Sequence, residues 1–110
     1  MTPVTHRFAS FAGAEIVWTE VGQGRPVVLL HALVGNAATN WIKYGTAKTL
    51  ADAGLRVIMP DFRAHGASAA PHRAAAYPAD VLAIDVEALV AHLGLTDFDL
   101  GGYSMGARTV

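Results

Sequence analysis

The run VVLL at 27–30, opened by Pro26 and closed by His31, is apolar at every position, and a second strand, RVIM, follows at 56–59. A strand that faces water on one side alternates apolar and polar residues; one that does not alternate is buried on both faces. Such strands need cover above and below, and the sequence between and after them supplies it. Residues 46–53 read as a short helix with Leu50 and Ala53 on its apolar side and Gly54 where a helix C-terminal glycine belongs. Residues 79–93 read as a longer amphipathic helix closed by Gly94. Its apolar residues at 82, 86, 89 and 93 share one face, flanked by 81, 84, 88 and 90, while Asp80, Asp85, Glu87 and His92 lie elsewhere. A last strand covers about 98–103. Strand, helix, strand, helix, strand, with connections long enough for crossovers, implies an α/β fold built on a parallel sheet. Ahead of it, 7–12 and 15–21 read as a hairpin around Gly13-Ala14.

Composition narrows the function classes. Eight Lys and Arg against nine Asp and Glu give a formal charge of −1 with no run of either sign, which offers nothing to nucleic acid or to an acidic membrane surface. Cysteine is absent, so disulfides, thiolate metal sites and cysteine catalysis are excluded together. The start, MTPVTHRFAS, has no signal-peptide pattern and no apolar run reaches membrane-spanning length, so the chain reads as soluble and cytoplasmic. Hydrophobic residues at 53% against 15% charged exceed what a domain of 110 residues needs for its own core.

The segment DFDLGGYSMGA at 97–107 holds Gly102-Tyr103-Ser104-Met105-Gly106 between the last strand and the start of a helix. A serine hydroxyl becomes a useful nucleophile when it projects from a sharp strand-to-helix turn. Residues two before and two after it then lie too close for side chains, which is the demand that Gly102 and Gly106 meet. The following helix aims its first amides at the reacting centre, so the Met105 N–H is placed to stabilise an oxyanion.

Three segments in order, VVLLHALVGNAATNW (27–41), RVIMPDFRAHGAS (56–68) and DLGGYSMGA (99–107), resemble the successive landmarks of the α/β-hydrolase superfamily. They are similar to its strand 3 with an HG loop, its strand 4 with DxRGHGxS, and its strand 5 with the nucleophile elbow. Residues 7–21 resemble its antiparallel first two strands. The resemblance implies the N-terminal part of such a sheet, an antiparallel hairpin and then parallel strands with crossover helices in the order 1, 2, 4, 3, 5. It makes residues 1–110 a partial domain that stops after strand 5, with the acid and the histidine of the triad beyond Val110. Strand 5 is then a bare edge, and 110 residues expressed alone are expected to aggregate or to be partly disordered.

The resemblance also implies Ser104 as catalytic nucleophile, the backbone N–H groups of Leu33 and Met105 as oxyanion hole, and neither metal nor organic cofactor. The substrate is a small ester, lactone or related acyl compound, attacked through an acyl-enzyme, and the shortened chain should turn over little. Cofactor-free haloperoxidases or perhydrolases share this half of the site, as do carbon–carbon bond hydrolases; a dehalogenase would carry Asp at the nucleophile position. A non-catalytic member or an interaction fragment is the other class. A dinucleotide-binding domain is set aside, because the first parallel strand runs into HALVGN rather than GxGxxG. Ala32 and Ala64 stand where the family most often has glycine. His31 is expected to brace its loop, and Asp61, Arg63 and His65 to hold theirs through backbone bonds. Trp41 and Tyr103 are read as packing, and His6, His72 and His92 as solvated.

Overall fold

A computed structural model describes residues 3–31, 35–43, 45–70, 80–102, 106 and 109. The strands are β1 (Val4–Ala9), β2 (Glu15–Val21), β3 (Arg25–Leu30), β4 (Leu55–Pro60) and β5 (Asp99–Gly102), with helices α1 (Thr46–Asp52) and α2 (Val81–Leu93). They form one sheet in the order β1-β2-β4-β3-β5. β1 pairs antiparallel with β2 and β2 with β4, whereas β3 runs parallel to both β4 and β5. This is the order that the resemblance implied, and β5 is an edge of the described sheet.

Non-alternating strands do serve two cores. Val28 and Leu30 of β3 and Ile58 of β4 join Phe8, Ile16, Trp18 and the α2 residues Val86 and Leu89 on one face. Val27 and Leu29, with Val57 and Met59, join Ala37 and the α1 residues Ala47 and Ala51 on the other. Successive side chains of a strand point to opposite faces, so each residue of VVLL is claimed by one core or the other. Pro26 is tolerated because β5 pairs only from Val27 onward.

Three local readings shift. The hairpin turns earlier than its apolar pattern suggested: Ala12 and Gly13 both take positive φ, 57° and 72°, and the Ser10 N–H donates to the Ala14 carbonyl at 2.8 Å. β1 therefore ends at Ala9 and begins at Val4. On α1, Ala47 and Ala51 are the buried residues, and Ala53 is exposed beyond the helix end. On α2, Asp85 is buried together with Val81, Val86 and Leu89. The repeat 81, 85, 89 is a strict four-residue stripe facing the sheet, and a carboxylate sits in its middle because Arg63 is there to receive it.

Both helices end as their glycines required, with Gly94 left-handed at φ 67° after α2 and Gly54 at φ 91° after α1. His92, exposed on the last turn of α2, is not simply solvated: its ring stacks on Phe8 at 5.0 Å and meets Trp18 edge-on at 5.6 Å. No helix among the described residues is long and apolar enough to cross a membrane.

Candidate active site

Parallel strands deliver their C-terminal ends to one edge of the sheet, and the register sets how closely. Leu30, the last residue of β3, is paired with Gly102, the last of β5. The β3–β4 register, Val28 beside Ile58, continued two residues brings Leu30 level with Pro60. Thus the ends of β4, β3 and β5, at Pro60, Leu30 and Gly102, lie at one level on three neighbouring strands, and His31 and Asp61 leave there. Loops that leave a parallel sheet in this way build its ligand site.

Of the residues singled out on sequence, Ser104, Met105 and Leu33 lie outside the described residues, as do Ala32, His72 and Tyr103. Their flanks are described. Gly102 closes β5, and Gly106 is helical, so strand precedes and helix follows the serine in the chain. Gly106 is buried against the exit of β3: a Cβ built on it would overlap the Leu30 carbonyl and come within 2.9 Å of the His31 carbonyl oxygen. Neither neighbour is a side-chain tip that could swing away, so only glycine fits.

The bracing residues behave as expected. His31 is fully buried and its Nε2 accepts the Phe62 N–H at 2.9 Å, which places a neutral ring's proton on Nδ1. Asp61 accepts the Ala37 N–H through Oδ1 at 2.9 Å and the Ala67 N–H through Oδ2 at 3.1 Å. His65 donates from Nδ1 to the Arg63 carbonyl at 2.9 Å. Ser68, buried, donates to the Asp61 carbonyl at 2.6 Å and accepts the Val17 N–H at 2.8 Å, pinning the loop to β2.

Arg63 reaches farther than a loop brace. Its Nε and Nη2 donate to the two oxygens of Asp85 at 2.9 and 2.8 Å, Nη2 also reaches the Phe11 carbonyl at 2.8 Å, and Ser10 Oγ donates to Asp85. One guanidinium thereby ties the loop after β4 to α2 and to the hairpin turn. Ala64, beside it, takes φ 66°, a left-handed conformation that glycine adopts without strain and alanine does not. Trp41 packs partly buried against the α1-side core. Among the described residues, no group of three or more His, Asp or Glu side chains is arranged to hold a metal ion.

A mixed sheet in the order 1, 2, 4, 3, 5, with a buried histidine at the exit of strand 3 and a glycine packed against it, is the architecture of the α/β-hydrolase class. The family model described as alpha/beta hydrolase fold matches residues 25–110, and the chain belongs to that family.

Its relatives carry more than one activity. The chain is 38% identical to a non-heme chloroperoxidase of Kitasatospora aureofaciens over 96 residues, covering 86% of this chain and 32% of that protein. It is 30% identical to a soluble epoxide hydrolase of Corynebacterium sp. over 105 residues, covering 96% of this chain and 35% of that protein. Among solved structures, epoxide hydrolase A of Mycobacterium thermoresistibile superposes with a TM-score of 0.85 at 29% identity, over 98% of this chain and 33% of that one. The chain thus spans about a third of the length of the relatives it matches.

Proposed function

We propose that this chain carries the nucleophile half of a serine hydrolase acting on a small ester, lactone or related acyl substrate. Ser104 Oγ attacks the acyl carbonyl, giving its proton to a histidine, and the tetrahedral oxygen takes its negative charge toward the Leu33 and Met105 N–H groups. Collapse breaks the bond to the leaving alcohol, which departs with that proton, and water repeats the sequence on the acyl-enzyme. The triad logic of such an enzyme asks for a histidine oriented by an acid, and the chain spans about a third of the length of the relatives it matches. The observation that supports this reading most is Gly106, wedged against the β3 exit where any side chain would collide. Labelling by a fluorophosphonate probe at Ser104 in the protein made from its full reading frame, lost in Ser104→Ala, is the expected result; an unlabelled wild-type protein refutes it.

A second reading is favoured by the similarity to a non-heme chloroperoxidase. Hydrogen peroxide in place of water would intercept the same acyl-enzyme and release a peracid, with the same nucleophile and oxyanion donors. Halide oxidation that requires a carboxylic acid together with peroxide identifies it; ester turnover that peroxide leaves unchanged excludes it.

A further inference from the structure

β1 is held to the sheet lightly. It lies at an edge, pairs with β2 alone among the described strands, and of its six residues only Phe8 is buried. Side chains alternate between faces along a strand, so Val4, His6 and Phe8 share the α2 side with their register partners Glu20, Trp18 and Ile16. Val4 is 53% exposed, which leaves His6 and Phe8 to fasten that face. Both rest on Trp18: the His6 ring stacks on it at 5.1 Å and Phe8 meets it edge-on at 5.8 Å.

Trp18 in turn is oriented by a carboxylate. Its Nε1–H donates to Glu20 Oε1 at 3.1 Å, and Arg56 of β4 donates to the same carboxylate through Nε at 2.8 Å and Nη2 at 3.1 Å. His6 Nε2 lies 3.9 Å from Glu20 Oε1. The attachment therefore runs from β1 through Trp18 and Glu20 to β4, and its acceptor is a single carboxylate.

We infer that Glu20 is an acid-sensitive latch for β1: neutralising its carboxylate lets this edge strand part from β2 while the sheet from β2 to β5 stays paired. The charged and titratable groups that face it are Arg56 from β4, His6 from β1 and, across Trp18, His92 from α2, so Glu20 is the one anion of the set. A protonated carboxyl turns one oxygen into a donor, and the indole and the guanidinium are left to compete for the other. The parallel strands do not depend on that group, since Val28, Leu30, Val57, Ile58 and Met59 are all 0% exposed. A strand with few buried apolar contacts opens at a lower free energy than strands of the core. The hydrogen bonds from Arg56 hold the Glu20 carboxyl below its ordinary value of 4.5, so the latch is closed above that value and releases as the pH falls through the lower, folded-state value.

The test is amide hydrogen exchange read by mass spectrometry on the protein made from its full reading frame, with rates corrected for the intrinsic pH dependence of exchange. Between about pH 7 and about pH 3, protection of β1 should fall about tenfold or more relative to protection of β3 and β4. Glu20→Gln should show the unlatched β1 at neutral pH and no further acid step. Arg7→Gln, which removes the exposed pair to Glu15 on the opposite face, should keep the step.

Should Glu20→Gln fail to fold, Arg56→Gln keeps the carboxylate and removes the group that lowers its titration, so the step moves to higher pH. Equal loss of protection in β1 and β3 at every pH overturns the inference, as does wild-type β1 protection in Glu20→Gln at neutral pH. An acid step that survives in Glu20→Gln, or one that stays at the same pH in Arg56→Gln, overturns it too.

Discussion

Replacing Asp85 by Asn tests how the loop that carries Asp61 is held. The Arg63 and Asp85 side chains are 0% and 4% exposed and share two charge-assisted hydrogen bonds of 2.8 and 2.9 Å. Asn keeps the shape and can still accept from Ser10, but it leaves a guanidinium buried without its counter-charge. Removing one partner of such a pair costs about 3–5 kcal/mol, out of a total stability of about 5–15 kcal/mol for a small domain. With a urea slope of about 1.5 kcal/mol per molar, the unfolding midpoint falls by roughly 2–3 M. Arg63→Met should cost a similar amount, since it strands the Asp85 carboxylate and the Phe11 carbonyl. The double variant, with both charges gone, should be less destabilised than the sum of the two by about 2–3 kcal/mol. Urea titrations of the four proteins, followed by tryptophan fluorescence and circular dichroism, measure the cycle. A midpoint shift worth less than about 1 kcal/mol in Asp85→Asn, or strict additivity, would mean that water reaches the pair and that Asp85 does not sit in the buried stripe.

Ala64→Gly should stabilise the protein by about 0.5–1 kcal/mol, because relief of a left-handed alanine, about 1–2 kcal/mol, outweighs the extra backbone entropy of glycine in the unfolded chain; a neutral or lower melting temperature contradicts the φ of 66°. Gly106→Ala should reduce fluorophosphonate labelling at least about a hundredfold, as the β3 exit and the elbow cannot both keep their places; unchanged labelling would show that the approach to Leu30 is not as close as described. Glu20 is held below its ordinary value of 4.5 chiefly by its hydrogen bonds from the Arg56 guanidinium, so the stability it adds is complete above that value and is lost as the pH falls through its lower, folded-state value. Glu20→Gln should therefore flatten the acid limb of the stability profile while leaving the slope near neutrality as it was; an unaltered acid limb contradicts the assignment.

The sheet was legible because its signal is a two-core requirement written into VVLL, and because each crossover ends in a glycine that adopts left-handed geometry. Asp85 was misplaced because periodicity sorts residues by type. A helical net puts 81, 85 and 89 on one stripe, and only the polarity of aspartate argued for moving 85 off it. The partner that overrules polarity, Arg63, is far away in sequence, and a buried charge cannot be recognised before its counter-charge is found. The α1 face failed for a related reason. With alanine at 47, 51 and 53 the helix carries almost no contrast between faces, and the packing against β4 decides. The hairpin boundary moved because Ala12, an ordinary helix or strand residue by propensity, takes φ 57°. Glycine at 106 was readable for the opposite reason, since exclusion of a side chain by the β3 exit leaves its mark on the residue type itself.

Alanine at 64, left-handed at φ 66°, shows what the loop after β4 can absorb. A left-handed alanine persists only where its surroundings determine the backbone more strongly than its own preference does. Here the Ala64 N–H donates to the Ala69 carbonyl at 2.9 Å, the His65 N–H to the Phe62 carbonyl at 2.8 Å, and Asp61, Arg63 and Ser68 fasten the same stretch to three other elements. The strain of about 1–2 kcal/mol is smaller than any two of those bonds to charged groups together, so the loop keeps its shape and gives up stability instead.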